Sequence, residues 1–146
     1  MRADGQRLDG FRTVLKDGRD HTVTIDLPRD EGGEDLGPSA LELCVMSLAG
    51  CISTIFALIA AKRRLMVGTT SIGLEATRAQ DSPTITSVRG ELRVTTDAPL
   101  AEVNAALRLT LRSCPVGVIF ERANIPVHVR AVVTRPASGA VPVPAR

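Results

Sequence analysis

Cysteines are the residues of this chain whose type and spacing could do chemistry. Cys51 closes the segment GPSALELCVMSLAGC, and Cys114 opens a later segment, CPVGVIFERA. Cys44 precedes Cys51 by two helical turns, about 10.5 Å along a continuous helix. A disulfide needs Cα atoms roughly 4.4 to 6.8 Å apart. Cys44 and Cys51 therefore cannot bridge on such a helix, and only Cys114 is left as a partner for either.

The spacing leaves three roles open for Cys51 and Cys114: a redox pair, two inert core thiols, or ligands of a metal. If Pro115 is the first residue of a helix, the free N–H groups at the start of that helix favour a thiolate at Cys114. Cys51, in the middle of a helix, would need a cation from another segment, and Arg29 and Arg19 are the nearest candidates in the chain. With no Cys-x-x-Cys and no paired His, a zinc site is poorly supported.

Composition narrows the function classes. The chain has 146 residues, 44% hydrophobic, and a net charge of only +2 with dispersed Lys and Arg. The low net charge argues against the cationic surface of a nucleic-acid-binding protein. The chain also has no Trp or Tyr on which bases could stack. Three cysteines without an N-terminal signal segment indicate a reducing, cytoplasmic compartment. Cys44 is expected to be a buried apolar side chain.

One uncharged run dominates the hydropathy pattern. Residues 43–61 contain no charge and are followed by Lys-Arg-Arg. This is close to the roughly 20 residues that span a bilayer, but the run contains Ser47, Gly50, Ser53 and Thr54 and is only moderately hydrophobic. We interpret it as a helix buried in a core or a dimer interface, without membrane association.

Elements on either side of that run must position the cysteines. Residues 12–16 and 21–27 flank Asp-Gly and predict a β-hairpin, with Thr22, Thr24 and Asp26 on its polar face. A Gly- and Pro-rich polar loop follows. The long helix is predicted to begin near Pro38 or Ser39, with Ser39 and Glu42 at the spacing of a capping box. It should end at residues 62–64.

The second half predicts strands over residues 69–78 and 84–95, then a helix from about residue 100 whose apolar spacing points Cys114 inward. Pro115 predicts a break and a fresh helical turn. A last strand, residues 126–134, precedes a tail, residues 136–146, that is expected to be disordered. The order β-β-α-β-β-α-α-β predicts one α+β domain, residues 1–135, with antiparallel sheets.

These segments together resemble the OsmC/Ohr family of thiol peroxidases over residues 8–134. The motifs that carry the resemblance are Gly37-Pro38, Glu42-Leu43, Leu48-Ala49-Gly50-Cys51 and Cys114-Pro115-Val116. The resemblance implies antiparallel sheets packed on long central helices in an intertwined homodimer, with no cofactor. It implies that Cys51 is the thiolate that attacks an organic hydroperoxide, that Cys114 is the resolving thiol, and that a dithiol reductant restores both.

The chain departs from the family near the attacking cysteine, where members with firm hydroperoxidase activity have an Arg and a Glu. Arg29 matches the loop arginine better than Arg19 does. Leu41 stands where the Glu is usual, and Glu42 lies one position further, about 100° around the helix. The catalytic set that the resemblance implies is Cys51, Cys114, Arg29 and Glu42. The alternative is a non-catalytic dimeric protein that binds a small molecule or senses redox state.

Overall fold

A computed structural model describes residues 1–136 of the protein. The chain divides into two compact units, Met1–Met46 and a second that begins at Ser47, with one long helix running through the boundary. The predicted tail lies almost entirely outside the described residues. The single domain of residues 1–135 stays a prediction.

The first unit contains a three-stranded antiparallel sheet in the order β1-β2-β3. Its strands are Asp4–Arg7, Thr13–Lys16 and Thr22–Ile25, followed by a 3₁₀ turn, Arg29–Glu31. The predicted hairpin is confirmed as β2 and β3, with Lys16 opposite Thr22. The sequence analysis missed β1, because Asp-Gly-Gln-Arg has no apolar alternation and all four residues are exposed.

The long helix, α1, spans Ala40–Lys62 and begins directly after Ser39, as the capping pattern predicts. It buries one stripe of side chains at every fourth position, Leu48, Ile52, Phe56 and Ala60. The predicted burial in a core is thus seen on one face of the helix, and burial in a dimer interface stays a prediction.

By length and composition α1 could cross a membrane, since an apolar window in its 23 residues has a mean hydropathy of 2.3. The core helix of a soluble protein has the same properties. Phe56 and Ala60 pack in the core with Leu92, Val94 and Val103, so this stripe faces protein.

The second unit has a three-stranded sheet in the order β4-β5-β6, formed by Thr70–Thr77, Ser87–Thr95 and Val127–Thr134. β4 pairs with β5 antiparallel, but β5 pairs with β6 in parallel. The prediction of purely antiparallel sheets is wrong at this edge. Two helices, α2 (Leu100–Ser113) and α3 (Pro115–Arg122), connect β5 to β6, and such a crossover returns the chain in the same direction.

Candidate functional site

The second unit brings Cys51 and Cys114 together. The Cys114 thiol donates a hydrogen bond to the Cys51 sulfur, with the two sulfurs 2.7 Å apart. Both cysteines are free; Cys51 is half-buried on α1 and Cys114 is fully buried. Because a disulfide bond is about 2.05 Å long, a shift of less than about 1 Å would bring the sulfurs to bonding distance.

The junction of α2 and α3 places Cys114. As predicted, Pro115 separates the helices, so that α2 ends at Ser113 and Cys114 adopts an extended backbone before the first turn of α3. The N–H of Gly117 donates to the Cys114 sulfur at 3.3 Å. A Cβ at Gly117 would lie 3.5 Å from that sulfur and only 3.3 Å from the Cβ of Cys114. Glycine thus lets the helix start close against the cysteine.

Burial sets the protonation state of Cys114. It raises the pKa of Cys114 to about 11, the hydrogen bond to Cys51 adds to this effect, and the N–H of Gly117 offsets part of it. The prediction that the start of α3 makes Cys114 acidic is therefore wrong, since desolvation outweighs the helix N–H groups. At neutral pH Cys114 keeps its proton and donates it toward the more accessible sulfur of Cys51.

A cavity of about 470 Å³ borders this junction. Its lining combines the polar side chains of Arg112, Glu121 and Asn124 with the apolar ones of Leu111, Ile125 and Val127. Gly117 lines the cavity and also contacts the Cys114 sulfur. Gly117 therefore borders both this cavity and the sulfur of Cys114.

Arg29 and Arg19 both lie in the first unit, but their side chains differ in the hydrogen bonds and ion pairs that they make. Asp17 binds the Arg19 guanidinium through two hydrogen bonds, of 3.0 and 2.9 Å. Arg29 is exposed at the start of the 3₁₀ turn, and its side chain makes no hydrogen bond or ion pair with any residue between 1 and 136. Within residues 1–136, Arg29 is therefore the one of these two arginines whose charge is not paired.

Glu42 is bound at the start of α1. Its carboxylate accepts the Ser39 N–H at 2.7 Å, and its own N–H donates to the Ser39 hydroxyl at 3.3 Å. This reciprocal pair is the predicted capping box. Hydrogen bonds from Ser39, first from its backbone and then from its side chain, hold the pKa of Glu42 below its ordinary value. Leu41, the preceding residue, is half-buried.

The remaining candidates contribute less. Cys44 is exposed, contrary to prediction, because it lies off the buried stripe of α1. His128 is exposed on β6, where it alternates with the exposed Arg130. Among residues 1–136, no group of three or more His, Cys, Asp or Glu is arranged to hold a metal ion.

The sequence analysis missed Asp26 and Gly117. It assigned Asp26 to a polar strand face, but the side chain is 4% exposed and accepts hydrogen bonds from the backbone of the following loop. A carboxylate directly before a loop rich in glycine is a signal for such bonding. Gly117, three residues after Cys114, could have been recognised as the N–H donor to a capping sulfur.

Comparison with solved structures shows the fold. An OsmC-like protein from Mycoplasma pneumoniae superposes with a TM-score of 0.81 at 11% identity, over 91% of this chain and 96% of that one. An organic hydroperoxide resistance protein OsmC from Legionella pneumophila gives 0.74 at 18% identity, over 90% and 96%. One from Elizabethkingia anophelis gives 0.71 at 16%, over 92% and 94%.

Sequence comparison gives the family. No curated protein sequence matches the chain. A family model described as "OsmC-like protein" matches residues 32–130, which include both Cys51 and Cys114. Since this match covers more than half of the chain and the fold agrees with it, the chain belongs to the OsmC-like protein family.

Proposed function

We propose that the protein is a cysteine-based thiol peroxidase that reduces organic hydroperoxides. One observation carries the proposal: a buried, protonated Cys114 lies 2.7 Å from a half-buried Cys51 in a fold shared with organic hydroperoxide resistance proteins. The accessible sulfur is suited to attack a substrate, and the buried thiol is suited to resolve the product.

The reaction balances in three steps. The Cys51 thiolate attacks the outer oxygen of the hydroperoxide, so that an S–O bond forms, the O–O bond breaks, and an alcohol leaves after taking up a proton. The Cys114 sulfur then displaces hydroxide from the sulfenic acid, which forms the disulfide and, with the Cys114 proton, water. A dithiol reductant reduces this disulfide and becomes oxidised to its own disulfide. No cofactor is required.

Arg29 is the residue that we propose as the cation for the Cys51 thiolate. A positive charge near a thiolate favours the ionised form, and Cys51 in mid-helix has no helix terminus to provide one. The guanidinium of Arg29 has no partner within residues 1–136, which supports this assignment over Arg19, whose charge Asp17 already binds. Because both cysteines must be kept reduced between turnovers, we place the protein in the cytoplasm, where thiols stay reduced.

We further propose that the protein acts as a homodimer built around α1. Opposite its buried stripe, α1 exposes uncharged residues at helical spacing: Ser47, Gly50, Thr54, Ala57, Leu58 and Ala61. A Cβ added at Gly50 would meet only open space. Small side chains let two helices approach closely, so this face suits the equivalent helix of a second copy.

A second candidate function is redox sensing or small-molecule binding without turnover. Leu41 favours it, because an apolar side chain stands where hydroperoxidases of the family have a carboxylate. The Oε2 of Glu42 accepts the Ser39 N–H, which supports a capping role for Glu42 over a catalytic one. The cavity beside Gly117 would serve either function as a site for the organic part of a ligand.

Steady-state turnover separates the two functions. The assay combines cumene hydroperoxide, the protein and a dithiol reductant such as dihydrolipoamide, with Cys51→Ser as the blank. Multiple turnovers above that blank support the peroxidase. Oxidation that stops after one equivalent supports the sensor.

A further inference from the structure

Asp26 is a buried carboxylate that the proposed cysteine chemistry does not use. It lies directly after β3 and is 4% exposed. Its Oδ1 accepts the N–H of Leu27 at 2.9 Å, and its Oδ2 accepts those of Glu34 at 3.1 Å and Leu36 at 3.3 Å. One side chain thus binds both ends of residues 27–36, which we name the arginine loop because Arg29 lies within it.

Backbone contacts close the arginine loop further. The N–H of Asp35 donates to the Leu27 carbonyl at 3.1 Å, and that of Gly33 donates to the Pro28 carbonyl at 3.0 Å. A Cβ at Gly33 would overlap the carbonyl group of Leu27. The two limbs of the loop are therefore packed backbone to backbone, and the loop has little freedom while these contacts hold.

The charge of Asp26 is compensated inside the first unit. Burial opposes ionisation, but the N–H groups of Leu27, Leu36 and Glu34 and the nearby positive charge of Arg12 outweigh it, so the pKa of Asp26 is lowered. The Nε of Arg12 is itself buried and has no hydrogen-bond partner among residues 1–136. Asp26 is consequently ionised at neutral pH, and both of its oxygens act as acceptors.

We propose that Asp26 is a positioning residue that fixes the arginine loop, and with it Arg29, in one conformation. This inference rests on the proposed role of Arg29 toward Cys51. A guanidinium stabilises a thiolate only when it is held at the right place, and a loop that moves would spread its charge over many positions. Asp26 acts through Arg29 and touches no reacting atom.

The test uses the whole chain with Cys44→Ser as background, so that the exposed Cys44 does not react. Asp26→Asn keeps the shape of the side chain but replaces one acceptor oxygen with an NH₂ donor, so at least one loop N–H loses its partner. Asp35→Asn is the matched control: it makes the same chemical change in the same loop, at a side chain that makes no hydrogen bond within residues 1–136 and at a φ of 58° that Asn also adopts.

Two quantities are measured: hydrogen exchange of the Leu27, Glu34 and Leu36 amides, and the rate of Cys51 alkylation by iodoacetamide at pH 7. We expect Asp26→Asn to speed the exchange of at least one of these three amides about five- to ten-fold, the effect of losing roughly one hydrogen bond. Asp26→Asn should also slow the alkylation of Cys51 as much as Arg29→Ala does. The double variant, Asp26→Asn with Arg29→Ala, should react no more slowly than either single variant, because Asp26 acts through Arg29. Asp35→Asn should change neither quantity.

Each alternative outcome has a distinct meaning. Unchanged exchange of all the measured amides in Asp26→Asn overturns the inference. The inference is also overturned if Asp26→Asn exchanges faster but its Cys51 is alkylated at the normal rate, while Arg29→Ala is alkylated slowly. If Arg29→Ala reacts normally, the proposed role of Arg29 fails and the inference fails with it. Should Asp26→Asn not fold, Gly33→Ala parts the same loop limbs by steric overlap, and normal alkylation in that variant likewise counts against positioning by the loop.

Discussion

The sulfur of Cys114 lies 2.7 Å from the sulfur of Cys51, although 63 residues separate them in the chain. The two thiols differ in what surrounds them. Cys114 is sealed by the junction of α2 and α3, whereas Cys51 remains half-buried on α1. This asymmetry supports the different roles that we propose for the two cysteines.

The stability of the reduced protein should fall as the pH rises from about 9 to about 11. The pKa of Cys114 is raised from 9.0 to about 11 in the folded chain, so the unfolded chain releases this proton first and binds fewer protons between those values. The free energy of unfolding then decreases with pH, by on the order of 2 kcal/mol. Urea unfolding at several pH values measures it. The chain has no Tyr and only two Lys, so few other groups titrate there.

Cys114→Ala should be less stable at every pH but should lose most of that decline. Cys44→Ala, which changes an exposed cysteine, should retain the decline. Equal slopes in the two variants would show that Cys114 is not the group responsible.

Arg29→Ala should slow the alkylation of Cys51 at pH 7 by about ten-fold, because the proposed guanidinium–thiolate interaction favours the ionised thiol. Arg19→Ala removes the same charge from an arginine that Asp17 binds, and it should react at the rate of the unchanged protein. The rates are measured by mass spectrometry of the peptide that contains Cys51. A slow Arg19 variant beside a normal Arg29 variant would reverse the assignment.

A charge on the exposed face of α1 should prevent dimer formation. We expect the unchanged protein to sediment as a dimer in dilute buffer without detergent. In Ala57→Glu, two unpaired carboxylates would be buried at the interface, which should weaken association about 10²-fold or more. Ala101→Glu places the same charge on an exposed position of α2 and should leave the dimer intact. A monomeric unchanged protein would contradict the proposed assembly.

Much of the fold follows from local pattern. The capping box of Ser39 and Glu42, the break at Pro115 and the inward direction of Cys114 were all predicted, because each depends on residues within one turn or on helical periodicity. The parallel pairing of β6 could not be predicted in this way, because it depends on the path of the crossover.

The features that the sequence analysis misjudged depend on desolvation and on contacts between distant segments. Burial makes Cys114 a weaker acid even though its position at a helix start suggests the opposite. Asp26 has the alternation of a solvent-facing strand residue, but amides eight and ten residues later surround it. Strand alternation and the position of a helix start do not by themselves predict either effect.

Leu41→Glu should increase turnover with cumene hydroperoxide. We place Leu41 at the family's usual Glu position. General acid–base or positioning groups contribute about 10² to 10⁴ in rate, so we expect a slow unchanged enzyme and a clear gain in the variant. Glu42→Gln, the adjacent control, should loosen the helix start but leave the rate per folded molecule unchanged, because Ser39 engages the carboxylate. Fast turnover that Glu42→Gln abolishes would show that Glu42 is the catalytic carboxylate.

The most direct measurement treats the reduced protein with one equivalent of cumene hydroperoxide and maps the oxidation state of all three cysteines by mass spectrometry. We predict one Cys51–Cys114 disulfide per chain, a free Cys44, and one equivalent of alcohol. In Cys114→Ser the same treatment should leave Cys51 as a sulfenic acid that dimedone traps. An unreacted Cys51, or a disulfide that involves Cys44 in place of Cys114, would contradict the proposed mechanism.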